Sequence, residues 1–110
     1  MTTMTLDQQQ SIYVLTLTNG DQDNALNQDV LNEYIEIFDK IERDSHNACL
    51  VIQSDHPKTF CNGLDLAWLM QQSMQDKKAF TLQLENMLLR LALLNLPVIA
   101  EINGNAYAGG

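Results

Sequence analysis

Residues 60–66 read FCNGLDL, and this stretch decides how the chain is interpreted. It follows an apolar run at residues 49–52 that predicts a strand, and it precedes an apolar stretch from Leu66 that predicts a helix. Gly63 lets the intervening loop turn sharply and approach a ligand closely, and Asp65 stands where a helix N-cap is expected. Backbone N–H groups in such a loop are available to bind an anion.

The composition is that of one folded domain, or part of one, that does not bind nucleic acid. Of 110 residues, 45% are hydrophobic and 18% are charged, which argues against disorder and allows a single core. The formal charge of −8, with only six Lys and Arg, argues against a nucleic-acid partner. We find no apolar run long enough for a membrane span and no signal peptide, so we expect a cytoplasmic protein.

The cysteines and histidines form no pattern typical of a disulfide framework or a metal site. Cys49 and Cys61 are not spaced as CxxC, and His46 and His56 complete no zinc motif, so no metal is expected. The glycine motifs of dinucleotide and P-loop sites are absent as well. A Cys61 nucleophile with His56 as its base would lack an orienting third group, so covalent catalysis is not favoured.

The chain alternates predicted strands with predicted helices. Helices between strands favour right-handed crossovers and a largely parallel sheet. Asn27 is a candidate N-cap for the first long helix, which is amphipathic. The helix from Asp76 is apolar over much of its circumference, so we expect other protein to cover it. Strands are predicted at residues 4–9, 11–18, 48–54 and 97–103, and helices at 28–43, 66–70 and 76–95.

A second glycine-bearing loop, GNAYAGG at residues 104–110, follows the last predicted strand. Because neighbouring parallel strands carry their C-terminal loops to one edge, we expect the two loops to face one another across a cleft. Two converging backbone N–H groups would hold the charge that develops on a carbonyl oxygen, each contributing about 3–4 kcal/mol to transition-state stabilisation. Either loop alone is better explained as a turn, and only the pair favours an oxyanion hole.

The run FCNGLDL, preceded by NALN at residues 24–27 and followed by PVIAEINGNAYAGG, resembles the crotonase family, the enoyl-CoA hydratases and isomerases. The resemblance extends from about Ser11 to the last residue. It implies an α/β fold of the crotonase-like ββα superhelix type, with residues 1–110 as the N-terminal part of one domain, apparently truncated after the second glycine turn. It also implies an enzyme that binds acyl-CoA and associates as a homo-trimer or hexamer, with coenzyme A entering as part of the substrate and no separate cofactor.

Matched residue by residue, the resemblance places the two oxyanion amides on Leu64 and Gly109. These N–H groups would hold the acyl thioester oxygen as an enolate. Asp65 is then interpreted as structural. The coenzyme A contacts that the resemblance implies are Asn24, Ala25, Leu26, Asn62, Gly63 and Leu64.

The chain departs from the pattern of the family in two places. Many members carry a Lys two positions after the Asp, near the nucleotide phosphates, where this chain has Ala67, with Lys58 only a weak substitute. The catalytic Glu positions of the family hydratases fall beyond Gly110, and Glu101 lies in a predicted strand, where we interpret it as structural. Hydratase and isomerase therefore both stay open. So do a non-catalytic acyl-CoA-binding or assembly module of the same fold and an unrelated α/β domain.

Overall fold

The computed structural model describes residues 2–44 and 48–110, and His46 lies outside them. The described chain is an α/β fold in which strands and helices alternate. In chain order the elements are β1 (Met4–Gln9), β2 (Ile12–Leu17), a short 3₁₀ helix (Gly20–Gln22), α1 (Gln28–Arg43), β3 (Cys49–Ser54), β4 (Thr59–Cys61), α2 (Leu66–Met70), α3 (Met74–Ala92), β5 (Val98–Ala100) and β6 (Asn105–Ala106).

The main sheet has the strand order β1-β2-β3-β5. Strands β1 and β2 form an antiparallel hairpin, with Leu6 opposite Leu15. Strand β2 pairs in parallel with β3, and β3 pairs in parallel with β5, so that Leu15, Ile52 and Ala100 stand side by side. The predicted largely parallel sheet with crossover helices is confirmed, and β2 occupies an interior position in it.

Helix α1 covers this sheet because its sequence is amphipathic. Asn27 Oδ1 accepts a hydrogen bond from the Val30 N–H at 3.1 Å, which confirms the predicted N-cap. Side chains at helical spacing on one face of α1 are buried and join those of β2 and β3 in one core. Burying each large apolar side chain stabilises the fold by about 1.5–3 kcal/mol. The core members from these three elements are Val30, Leu31, Tyr34, Phe38, Ile41, Tyr13, Leu15, Leu17, Leu50 and Ile52.

Helix α3 is only partly covered by the described residues. It begins at Met74, slightly before the predicted start, because Ser73 Oγ caps it by accepting from the Asp76 N–H at 3.1 Å. None of the described helices is both long and apolar enough to cross a bilayer. On α3, Phe80 and Met87 are buried, whereas Leu82 and Leu89 are 62% and 57% exposed. Leu93, the C-cap that follows α3, is 71% exposed.

A second, two-stranded sheet forms from β4 and β6, where the sequence indicated only loops. The strands pair in parallel, with Thr59 opposite Asn105 and Cys61 opposite Ala106. The prediction that residues 59–61 and 105–106 lie in loops was therefore wrong. Strands this short carry no readable alternation of apolar and polar residues, and their pairing depends on contacts between distant parts of the chain.

Candidate active site

Three segments that the sequence singled out lie side by side: residues 24–26, 60–65 and 105–110. Leu26 and Leu64 form a parallel bridge, in which the Leu26 N–H donates to the Gly63 carbonyl at 2.7 Å. On the other side, the Tyr107 N–H donates to the Cys61 carbonyl at 3.0 Å. The two glycine loops are thus hydrogen-bonded neighbours, whereas the sequence predicted a cleft between them.

The direction of the Leu64 N–H is set by the carbonyl of the same peptide unit. All described peptide bonds are trans, so the Gly63 C=O and the Leu64 N–H point in opposite directions. Because the Gly63 carbonyl is held by Leu26, the Leu64 N–H points towards the other glycine loop. There it donates to the Ala108 carbonyl at 3.3 Å.

Gly63 is required by this close approach. Its φ is +80°, and a Cβ atom at this position would lie 2.1 Å from the Ala108 oxygen and 2.2 Å from the Tyr107 oxygen. Both are backbone atoms, which cannot rotate away as a side chain can. Only glycine therefore lets segments 60–65 and 105–110 pack together in this way.

Residues 107–110 form a tight turn that carries the second expected donor. The Gly110 N–H donates to the Tyr107 carbonyl at 2.7 Å, and positive φ angles of 43° at Ala108 and 92° at Gly109 are those of a type I′ turn. Since the Ala108 carbonyl points at the Leu64 N–H, the Gly109 N–H of the same peptide points away from it. The two expected donors are adjacent here but do not converge on one point.

A polar cavity of about 350 Å³ opens beside the first loop. Ala25, Asn62 and Leu64, three of the residues expected to contact coenzyme A, line it together with Ala67. The described residues place no Lys or Arg on its wall, so Lys58 does not replace the family Lys there. Asn62 Oδ1 is buried and has no hydrogen-bond partner among the described residues. The wall is instead acidic, with carboxylates from Asp21, Asp23 and Asp65.

An apolar cavity of about 120 Å³ lies next to the second loop, and Leu26 lines it. Gly109 reaches it, as do apolar side chains from the 24–26 segment, β4 and α3. Burial raises the pKa of Tyr34, which also lines this cavity, so its phenol keeps its proton at neutral pH. The lining includes Leu26, Tyr34, Phe60, Met87, Leu91 and Gly109.

Cys61 and His56 do not form a nucleophile and base pair. The Cys61 thiol donates to the Asn24 carbonyl at 3.2 Å, and burial raises its pKa although the Gly63 N–H bond opposes that shift. The His56 ring instead accepts from the Thr59 N–H at 3.1 Å through Nδ1. Its Nε2 lies 3.6 Å from Asp21 Oδ1. A neutral thiol without a base is a poor nucleophile.

The structure distributes the remaining candidate residues differently from the sequence. Asp65 Oδ1 accepts from the Trp68 N–H at 3.1 Å and caps α2, as predicted. Asn24 is 5% exposed, and its side chain bonds within the protein rather than lining the polar cavity. The acidic wall was missed, although Asp21 and Asp23 stand just before NALN in the sequence.

Residues 7–110 match the family model described as Enoyl-CoA hydratase/isomerase. The chain belongs to the enoyl-CoA hydratase/isomerase family. It is 30% identical over 105 residues to a short-chain-enoyl-CoA hydratase of Clostridium acetobutylicum, and 29% identical over 113 residues to enoyl-CoA delta isomerase 3 of Arabidopsis thaliana. Both alignments include 96% of this chain but only 40% and 45% of the relatives, so the chain spans less than half their length.

Solved structures of enoyl-CoA hydratases share the fold of this chain. The crystal structure of the enzyme from Bacillus anthracis aligns with a TM-score of 0.93 and 24% identity, covering 99% of this chain and 43% of that one. The enzyme from Shewanella pealeana aligns with a TM-score of 0.89 and 19% identity, covering 98% and 42%. The crotonase-like fold predicted from the sequence is therefore confirmed for the part that this chain spans.

Proposed function

We propose that the chain is the N-terminal part of an enzyme that acts on a fatty enoyl-CoA thioester, as a hydratase or an isomerase. The Leu64 N–H is one of two donors that hold the thioester oxygen as an enolate. The observation that carries this proposal is the bond between Leu26 and the Gly63 carbonyl, because it directs the Leu64 N–H before any ligand arrives. A donor held in place in advance needs little reorganisation during the reaction, which is how backbone amides stabilise a developing oxyanion.

The second proposed donor, Gly109, requires a local rearrangement. Turning over the Ala108–Gly109 peptide would convert the type I′ turn into a type II′ turn and keep the bond between Tyr107 and Gly110. The Ala108 carbonyl would then leave the Leu64 N–H, and the Gly109 N–H would face the same point. Glycine at position 109 tolerates either sign of φ, whereas a type II′ turn leaves Ala108 in a conformation that favours glycine, so binding of the thioester oxygen must offset this strain.

The two cavities differ in polarity, and this difference would set the orientation in which the substrate binds. The polar cavity, lined by Ala25, Asn62 and Leu64, would take the pantetheine arm and the nucleotide, while the apolar cavity next to Gly109 would take the acyl chain. The thioester would then lie at the Leu26–Leu64 bridge between them. Its oxygen would be within reach of the Leu64 N–H, as the proposed chemistry requires.

We propose further that residues 1–110 belong to a longer domain of this fold. The chain spans 40% of the Clostridium relative, and apolar side chains of α3 such as Leu82 and Leu89 are exposed. Exposed apolar patches of this kind mark surfaces that other protein covers. The 110 residues alone should be inactive, since no acid or base is assigned among them, and hydration of crotonyl-CoA by them would contradict this.

The proposal is tested on these residues continued to the length of their relatives, which we call the family-length protein. We expect calorimetry to detect acyl-CoA binding and an absorbance assay to detect turnover of enoyl-CoA thioesters. If neither appears, the proposed function is wrong. The expected cytoplasmic location and trimeric or hexameric assembly stay predictions, the latter open to light scattering.

One observation favours a second candidate, a non-catalytic acyl-CoA-binding or assembly module. The Leu64 N–H already has an acceptor in Ala108. A protein that kept this arrangement would bind without catalysing. Saturable acyl-CoA binding with no turnover of any enoyl-CoA thioester would select this function over the first.

A further inference from the structure

Asn24 uses its whole side chain to join three parts of the chain. Its Oδ1 accepts from the Asn19 N–H at 2.9 Å, which holds the loop before it. Its Nδ2 donates to the Phe60 carbonyl at 2.8 Å and to Ser54 Oγ at 3.1 Å. The carboxamide thus connects the 19–24 loop, the end of β3 and strand β4. Hydrogen bonds between groups this deeply buried are costly to leave unmade.

The backbone of Asn24 adds a second connection to β4. Its carbonyl accepts from the Cys61 thiol at 3.2 Å, and Cys61 Sγ in turn accepts from the Gly63 N–H at 3.4 Å. Two successive residues of β4, Phe60 and Cys61, are therefore bonded to one asparagine. This double connection fixes the end of β4 relative to the segment that carries Leu26.

Asn24 is connected to the Leu64 peptide through two intermediate groups, Leu26 and the Gly63 carbonyl. Leu26 follows Asn24 by two residues, and its N–H holds the Gly63 carbonyl at 2.7 Å. That carbonyl sets the direction of the Leu64 N–H, as described above. Asn24 itself lines neither cavity, so its side chain is not placed to touch a substrate.

We propose that Asn24 is a positioning residue, whose carboxamide holds Leu26 and, through Gly63, directs the Leu64 N–H. This inference deepens the proposed function and rests on it for its kinetic consequences. Asparagine suits the position for two reasons. It supplies an acceptor and a donor on one short side chain, and it tolerates the left-handed backbone found here, with φ at 47°. Aspartate would lack the donor to Phe60.

The test compares Asn24→Gly with Asn27→Ala in the family-length protein. Glycine accepts the positive φ at position 24, so Asn24→Gly removes the carboxamide without adding backbone strain. Asn27 lies in the same segment but caps α1 through Val30 and has no side-chain bond to β4. Asn27→Ala is therefore the control: it lowers stability close to the site but leaves the bonds from Asn24 to β4 in place.

Two readouts are expected to separate these variants. Hydrogen exchange at the Leu26 and Leu64 amides should become roughly tenfold faster or more in Asn24→Gly, beyond what its measured loss of global stability explains, whereas in Asn27→Ala it should rise by no more than that loss explains. For enoyl-CoA turnover, kcat should fall roughly 10- to 100-fold in Asn24→Gly with KM nearly unchanged, as a displaced catalytic group predicts. Asn27→Ala should keep both constants.

Each contrary result has a distinct meaning. A raised KM with an unchanged kcat in Asn24→Gly would make Asn24 a substrate contact and overturn the positioning role. Unchanged exchange at Leu26 and Leu64 would overturn it too, whether or not the protein has activity. If the unsubstituted protein shows no turnover, the proposed function fails, and the exchange measurement still decides on Asn24 by itself.

Discussion

The two loops of the candidate site are held to very different degrees. The Leu64 N–H belongs to a loop that is bonded to residues 24–26 on one side, and its neighbours Asn24 and Cys61 are 5% and 3% exposed. Gly109 lies in an exposed turn closed by one hydrogen bond, with no atom within 4 Å of where its Cβ would be. We infer that the first donor is set by the fold, whereas the second is set by a turn that is free to change.

Gly63→Ala should have the largest effect, because it disrupts the first loop, residues 60–65, which the fold holds in place. The new Cβ would lie 2.1 Å from the Ala108 oxygen at a backbone φ of +80°, so the loops must separate. We expect the free energy of unfolding to fall by roughly 2–5 kcal/mol and enoyl-CoA turnover to be lost. Urea denaturation and an activity assay measure both, and a variant within about 1 kcal/mol of the parent would show that the loops do not pack this closely.

Gly109→Ala is the matched substitution in the second loop, the turn at residues 107–110, and it should reduce the free energy of unfolding much less. The added Cβ meets nothing, so only the positive φ of 92° is unfavourable, by about 1 kcal/mol. The peptide reversal proposed above does not relieve this strain, because a type II′ turn would move it to Ala108, so the bond from the Leu64 N–H to the Ala108 carbonyl is kept. Hydrogen exchange at Leu64 should therefore stay close to that of the parent, and an equal loss of stability in both glycine variants would end the distinction between the two loops.

Local features of the site were predicted better from the sequence than pairings between distant segments of the chain. Asn27 and Asp65 were identified as helix caps because capping depends on a side chain and the next three residues, and both are confirmed. Strands β4 and β6 were not predicted, since their pairing depends on contacts between residues about 45 positions apart in sequence rather than on a local pattern. The direction of the Ala108–Gly109 peptide has no signature in the sequence either, because glycine permits both directions.

The Cys61 thiol allows a smaller test, which asks whether the first loop loses stability at high pH. Burial raises the pKa of this thiol above its ordinary value of 9.0, so the folded state keeps the proton after the unfolded state has lost it. The stability contributed in this way is fully present below about pH 8.5 and is lost as the pH rises towards the folded pKa. Denaturation between pH 7 and 10 should show this decline, and Cys61→Ser, which does not titrate there, should remove it.

Asp23→Asn should have the smallest effect. It tests whether the nucleotide binds in the acidic cavity beside the first loop while the acyl chain binds in the apolar cavity beside the second. Asp23 is exposed on the wall where the nucleotide phosphates are proposed to lie, so its charge repels them only weakly through solvent. We expect KM for an enoyl-CoA to fall about twofold at low salt and to match the parent near 0.5 M salt, with kcat unchanged. The same substrate with pantetheine in place of coenzyme A carries no nucleotide phosphates, and its KM should not respond. If both thioesters respond equally, the nucleotide does not lie against Asp23, and the direction proposed for the substrate between the two cavities is wrong.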